Sequence, residues 1–276
     1  MALFVTNAAV PGDLVTAFER DGFVVVPDLL TDAELDTFGP AVDAGVARRQ
    51  AAEHRPLAER SRYEQSFVQS MNLWEDDPVV RGLSFHPRIA GAACALLQVD
   101  SIRLWHDQAL YKEAGARATD AHQDQPYWPI AESTTITAWI PFDGSTLANG
   151  AMGYVAGSHQ IGLRRFVNIF VGEPENLLAR PELADRAPTF VEVPRGSVAF
   201  HHGLTAHLAG PNTTGAARRV HTMIFFADGC TRGAEHPHFA VDRPGIALGD
   251  PIRSDVTPVA WPRDLGDLPP APADHG

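Results

Sequence analysis

Hydrophobic and polar positions change their period along this chain, and the change divides it. From Asp13 to Asp21 the pattern predicts a short helix, and the run GFVVVPDLL that follows is β-branched and stopped by Pro27, as suits a buried strand. Thr31 with Glu34 three residues on is a capping box, and Leu35, Phe38, Val42 and Val46 mark one face of the helix it opens; Gly39-Pro40 predicts a kink there. Between Gln50 and Gln69 the period is lost. That stretch is polar, with Arg55, Arg60 and Arg62, and reads either as a solvated loop or as a mobile segment over a site. Pro87 to Leu97 is alanine-rich and apolar enough for a helix packed on a sheet, with Pro87 in its first turn.

Past residue 100 the texture becomes β. SIRLWHDQALYK, TTITAWIPF, GAMGYVAGSH, TFVEVPRGSVAFHH and RVHTMIFFADG are short runs broken by Gly144, Asn149-Gly150, Gly157-Ser158, Pro194-Arg195-Gly196 and Gly210-Pro211-Asn212. Such spacing predicts an antiparallel barrel or sandwich. We expect one domain over residues 1–276: a helical part to about residue 100, a β core from about 101 to 230, and an extension from about 231 whose end, Asp264 to Gly276, is loosely ordered.

Composition narrows the class. At 276 residues, 45% apolar and 20% charged, the chain is neither disordered nor fibrous. A net charge of -12 argues against nucleic acid and anionic membranes and leaves a small molecule as the expected partner. Cys94 and Cys230 make neither a disulfide framework nor a thiolate zinc site. MALFVTNAAVPGDL has no leader pattern and no run reaches eighteen apolar residues, so the expected location is cytoplasmic, away from membranes. GxSxG and P-loop motifs are absent. Apolar strand faces serve a core and a dimer contact equally well, so the pattern sets no oligomeric state.

The strongest chemical signal is His122-Gln123-Asp124. Alternate residues of a strand share a face, so an imidazole and a carboxylate stand side by side and could give a metal two ligands. An ordinary surface pair has the same look, and a third ligand is needed. His201, His202, His207 and His221 are the candidates; His207 is best placed, because it opens HLAGPNTTGAARRV, whose turn leads into a β run carrying Arg218 and Arg219. Two histidines and a carboxylate with open positions opposite form the facial triad of non-haem Fe(II) oxygenases. An arginine aimed into such a pocket would grip the far carboxylate of 2-oxoglutarate with two prongs.

Taken together, HQDQPYWP, TAWI, NGAMGYVAGSH and the spacing from His207 to Arg218 resemble the phytanoyl-CoA dioxygenase family of Fe(II)/2-oxoglutarate-dependent oxygenases. The likeness covers Gln108 to Asp228 well, and GFVVVPDLL and MNLWEDDP more faintly. It implies a mainly β fold with flanking helices, a cupin-like double-stranded β-helix or jelly roll with iron at its open end. It also implies that His122, Asp124 and His207 ligate Fe(II), that Arg218 pairs with the distal carboxylate of 2-oxoglutarate, and that O₂ is the second co-substrate. Gln108 and Trp139 fall where the family contacts 2-oxoglutarate, with Gln69 or Asn72 joining from the earlier segment. Strand alternation turns Arg219 the other way. Two residues after His207 the family often has Ser, whereas this chain has Ala209, which removes one co-substrate hydrogen bond.

The resemblance implies an oxygenase, foremost a hydroxylase, with epimerisation, desaturation or ring formation open to the same ligand set. Halogenating relatives have a small residue where this chain has Asp124. A jelly-roll metalloenzyme that ignores 2-oxoglutarate and a non-catalytic ligand-binding barrel are the other readings; indifference to Arg218→Ala marks the first, and lack of metal the second. An acyl-CoA would ask for a basic surface, so the acidic chain favours a free small molecule, and tailoring of a natural product is the expected role. Tyr127 and Trp128 follow the HxD closely enough to line a pocket, and His202 or its neighbour His201 reads as a substrate contact. His159 reads as a packing residue, His236-Pro-His238 as a surface loop, and Trp105, Leu104 and Leu110 as barrel wall. Gln160 to Pro188 is the expected lid.

Overall fold

The computed structural model describes residues 10–162, 164–170, 175–264 and 266–273. The first nine residues, read above for a leader, lie outside the described residues, as do 163 and 171–174 of the expected lid and 265 and 274–276 of the expected loose end. Much of that end is tethered. Arg263 donates to the carbonyls of Asp264 and Asp267, and the Ala273 N–H donates to Asp255.

Among the described residues six α-helices flank the sheets: α1 (Gly12–Asp21), α2 (Asp32–Arg49), α3 (Leu73–Asp76), α4 (Pro78–Ser84), α5 (Pro87–Leu97) and α6 (Phe239–Asp242). α1 ends where Gly22 takes a left-handed φ of 81° and returns its N–H to Phe18. α2 opens on the capping box: Thr31 Oγ1 accepts from the Glu34 N–H and Glu34 Oε2 from the Thr31 N–H. It continues through Gly39-Pro40, and bare Gly39 leaves room for the ring of Phe142.

The same residues form eleven strands, numbered in chain order: β1 (Phe23–Val26), β2 (Val68–Met71), β3 (Ile102–Lys112), β4 (Thr119–His122), β5 (Thr135–Pro141), β6 (Met152–Tyr154), β7 (Thr189–Val191), β8 (Val198–His202), β9 (His207–Ala209), β10 (Arg218–Ala227) and β11 (Val259–Trp261). The major sheet runs β1-β8-β5-β10-β3-β11, and β2 pairs with β3 as well. The minor sheet runs β4-β9-β6-β7, and every pair in both sheets is antiparallel. This is the double-stranded β-helix. β1 and β2 come from the helical part and β11 from the extension, so both flanks of the β core add strands to its major sheet.

Alternation gives that sheet two distinct faces. Val24, Ile136, Phe200 and Phe225 pack against the helices in one core, together with Leu35, Leu83 and Ile89. Their neighbours Trp139, Ala199 and Val220 turn inward toward Met152 and Tyr154 of the minor sheet. β3 obeys this rule with one break. Ile224 of β10 pairs with His106 and Phe225 with Leu104, so Trp105 is an extra, bulged residue. Ile102 and Leu104 face the helices, yet after the bulge His106, Gln108 and Leu110 face inward.

Candidate active site

Between the sheets lies a cavity of about 890 Å³, wide enough for a co-substrate and a drug-sized molecule together. At its wall β4 and β9 pair so that His122 and His207 are direct partners, their ring centroids 4.3 Å apart. Asp124 follows His122 into a short 3₁₀ turn, and its Oδ1 lies 3.6 Å from Nε2 of each imidazole. One donor atom from each of the three falls within 4.8 Å of the others.

Hydrogen bonds behind the rings set which nitrogen faces in. His122 Nδ1 donates to the Asp120 carbonyl at 2.8 Å, and His207 Nδ1 to the Thr205 carbonyl at 2.9 Å. Each Nε2 is left with a lone pair aimed at its neighbours, the usual way a protein orients a metal-binding histidine. Burial pushes both imidazoles down to about 4, aided at His122 by His207, so both are neutral at physiological pH. Burial would raise Asp124, but His207, a hydrogen bond from His201 and His122 hold it well below the usual carboxylate range. Two neutral imidazoles and one carboxylate, lone pairs converging, fit a divalent first-row metal such as iron.

The second oxygen of Asp124 is tied back. His201 Nε2 lies 3.1 Å and Thr137 Oγ1 3.2 Å from Oδ2, which leaves Oδ1 for the centre of the cluster. His201 is therefore the inward member of the His201-His202 pair. The reading of His202 as a substrate contact is corrected: its Nδ1 accepts from the Leu204 N–H and its ring lies beside His159, outside the cavity. His159 is a packing residue bonded to the Glu19 carbonyl, as its place after a turn suggested.

Further along the cavity Arg218 is 3% exposed and has no carboxylate partner among the described residues. Its Nη1 donates to the Gly150 carbonyl, its Nε is unpartnered, and its guanidinium carbon stands 5.0 Å from the centre of the Trp139 ring. Burial pushes it down only to about 9, so the cation persists at neutral pH. Arg219, one residue on, faces out and pairs with Asp43 and Asp143. Gln69 and Gln108 join in the same cavity at 2.5 Å, and the Tyr63 hydroxyl donates to Gln69. Asn72 does not line it. That residue has a φ of 55° at the head of α3 and gives its N–H to the Asp107 carbonyl, on the helix side of β3.

Other residues reach the site unannounced by the sequence. Lys112, fully buried behind the wall, donates to the carbonyls of Ser66 and Arg117, and burial, then Arg218, pushes it down to about 7. The Arg55 to Arg62 stretch is fastened by ion pairs to Glu53, Glu64, Glu113 and Asp120, and it carries Tyr63 and Phe67 to the cavity. Phe166 and Phe170, 51% and 43% exposed, close around Tyr63 and Tyr127 at the mouth. Trp128 lines the cavity too. His236-Pro-His238 is an exposed loop, as expected, but its inner side also lines the cavity, with the His238 ring stacked on Trp105 at 4.4 Å.

Residues 18–220 match the profile of the family described as Phytanoyl-CoA dioxygenase (PhyH). The chain belongs to this family. A protein of Caenorhabditis elegans, "Phytanoyl-CoA dioxygenase domain-containing protein 1 homolog", is 24% identical over 76% of this chain and 89% of its own. "Probable alpha-ketoglutarate-dependent hypophosphite dioxygenase" of Stutzerimonas stutzeri is 30% identical, over 44% of this chain and 43% of its own length. Among solved structures, the alpha-ketoglutarate-dependent carbocyclase SnoK from nogalamycin biosynthesis aligns over 92% of this chain and 98% of its own, at TM-score 0.76 and 26% identity. The epimerase SnoN, solved with Fe3+, alpha-ketoglutarate and nogalamycin RO, aligns over 90% and 98%, at TM-score 0.72 and 25% identity. This family member is a non-haem iron enzyme with 2-oxoglutarate as co-substrate, a dioxygenase. No helix among the described residues is long and apolar enough to cross a membrane.

Proposed function

We propose that the chain oxidises a free, ring-bearing small molecule in natural-product tailoring, with His122, Asp124 and His207 holding the iron and Arg218 receiving the distal carboxylate of 2-oxoglutarate. One observation carries this reading: a converging set of three metal donors and a buried, unpaired guanidinium open onto the same cavity. Bound iron and 2-oxoglutarate would supply the oxidising power. The protein's part is placement. Arg218, its guanidinium carbon 5.0 Å from the Trp139 ring, offers Nε and its free amino nitrogen to an anion, and Gln108 and Gln69 offer amides in the same cavity. His201 and Thr137 fix Asp124 so that it binds metal through one oxygen.

Hydroxylation is the leading outcome, with epimerisation or ring closure available to the same donors, and SnoK and SnoN support that range. Asp124 fills the position that a halide would need. Tyr63, Phe67, Tyr127, Trp128, Phe166 and Phe170 form an aromatic wall suited to stacking a flat substrate. An acyl-CoA finds no basic platform, since Arg55, Arg60 and Arg62 are already paired. The same reading excludes nucleic acid, given the net charge of -12, and places the protein in the cytoplasm. Cys94 and Cys230, buried free thiols pushed up to about 11 and about 12 by burial, support a reducing compartment.

The test is an anaerobic titration with Fe(II) and 2-oxoglutarate, following the weak visible charge-transfer band of the chelate. The band is expected in the native protein and should be lost at equal co-substrate in Arg218→Ala. Iron binding without a band would overturn the Arg218 assignment; no iron binding would overturn the ligand set.

A further inference from the structure

Beside the Tyr127-Trp128 part of the cavity wall, two imidazoles have no task in the scheme above. His106 projects from β3 on the same face as Gln108, placed there by the bulge at Trp105. His238 precedes α6 and is held between Trp105, 4.4 Å away, and Phe239, 4.5 Å away. The two histidine rings lie 6.0 Å apart, 28° from parallel, and both line the cavity.

Their outer bonds give them opposite hydrogen-bonding characters. His106 Nδ1 lies 3.3 Å from the Asp107 carbonyl oxygen and donates to it, so its Nε2 is an acceptor. His238 Nδ1 accepts the Ala240 N–H at 3.2 Å, so in the neutral ring the hydrogen sits on Nε2, a donor. Burial pushes His106 down to about 4; burial, then His106 and His236, pushes His238 down to about 2. Both rings are neutral at physiological pH, and the pair offers one acceptor and one donor with no net charge. No protein group among the described residues bonds either Nε2. The nearby carboxylate of Asp242 is taken by Arg232 and by the His238 N–H.

A hydroxyl group is the ligand that needs one acceptor and one donor at once. Its oxygen can make both hydrogen bonds at once, each of about 2.8 Å, to two rings that line the same cavity. A carboxylate or phosphate would meet a lone pair at His106, and a bare hydrocarbon would leave both nitrogens unsatisfied, which costs binding. We propose that His106 and His238 are specificity residues that seat an alcohol or phenol hydroxyl of the substrate, His106 accepting its hydrogen and His238 donating to its oxygen. The proposal deepens the oxygenase reading and rests on it for the identity of the cavity. It gives the substrate a polarity: flat rings toward Tyr127 and Phe170, a neutral hydroxyl toward β3.

Three probes of one shape test it: 2-naphthol, 2-methoxynaphthalene, which has no O–H, and 2-methylnaphthalene. Their affinities are measured by fluorescence titration of the anaerobic protein loaded with Fe(II) and 2-oxoglutarate, and again without metal. The native protein should bind 2-naphthol about tenfold more tightly than 2-methylnaphthalene, with the ether between. His106→Leu and His238→Phe should each erase that preference, weakening 2-naphthol and sparing 2-methylnaphthalene the cost of an unsatisfied nitrogen, and leave the charge-transfer band unchanged. His106→Gln, which keeps an acceptor, should restore part of it. A preference that survives both variants, no preference in the native protein, or failure of 2-naphthol to bind would overturn the proposal. Loss of the band with the preference intact would instead overturn the oxygenase reading.

Discussion

Arg218 and Arg219 are adjacent on β10 and live in opposite electrostatic worlds. The first is a desolvated cation with no carboxylate partner among the described residues; the second is a partly exposed cation with two carboxylates. Removing a buried charged partner costs roughly 2–5 kcal/mol, so Arg218→Ala should raise the 2-oxoglutarate requirement at least roughly thirtyfold, read as the co-substrate KM for succinate formation. Arg219→Ala should leave that KM alone and lower stability by no more than about 1 kcal/mol per lost pair. At the cluster, Asp124→Ala should abolish both bound iron, assayed by ferrous chelation, and succinate release; full activity in that variant would sink the ligand set. The HxD spacing and a histidine before an arginine strand were legible in the sequence, although Asp124 meets His122 from a turn after β4 rather than by alternation along a strand. His201 was not, since choosing between it and His202 needs to know which face of β8 turns inward. That is decided by pairing with β1 and β5, more than a hundred residues of sequence away on one side.

Within the elements, the capping box on α2 does more than start a helix. Glu34 also takes Arg88 and His86 from α5, so one carboxylate joins two helices. Burial raises its pKa, but the bonds from Thr31 and His86 outweigh that and bring it to about 2 from 4.5. A lowered carboxylate contributes stability that is present above the unfolded value and lost on acidification. Urea unfolding should therefore show stability falling as the pH drops from about 4.5 toward 2, and Glu34→Gln should flatten that limb. Thr31→Ala should cost about 1 kcal/mol at neutral pH. Gly150 gives a different kind of constraint: its φ is +95°, and an added Cβ would stand 2.7 Å from Lys112 Cδ and 2.8 Å from the Gly210 oxygen. Gly150→Ala should destabilise by about 1–3 kcal/mol and weaken 2-oxoglutarate binding through the lost seat of Arg218, measured by calorimetry. Periodicity located α1, α2, α5 and most strands, yet it could not place His106, because one bulged residue inverts which parity faces in.

Over the whole molecule, charge and shape separate. Arg55, Arg60, Arg62, Arg195 and Arg219 are paired with carboxylates near the surface, whereas the cation of Arg218 is buried with no carboxylate partner among the described residues. The cavity wall draws on distant stretches, among them the Arg55 to Phe67 region, Tyr127-Trp128, the expected lid and the segment after β10. Sequence alone pointed to the Gln160 to Pro188 stretch, whose Phe166, Ile169 and Phe170 line the cavity, but not to the exposed His236-Pro-His238 loop that lines it too, because nothing local shows which loop folds back over a cavity. If the mouth works as drawn, Phe166→Ala and Phe170→Ala should raise the substrate KM and leave the iron–2-oxoglutarate band as it is. One consequence lies in how the molecule is made. The free edge of β3 is covered by β2, which is synthesised before it, and by β11, synthesised well over a hundred residues after it. On a ribosome, the end of β3 around Ile102 and Arg103 waits with open backbone groups until Val259–Trp261 emerges. A nascent chain stopped before β11 would carry that bare edge into the cell, and pulse proteolysis of such stalled chains should find it the last seam to close.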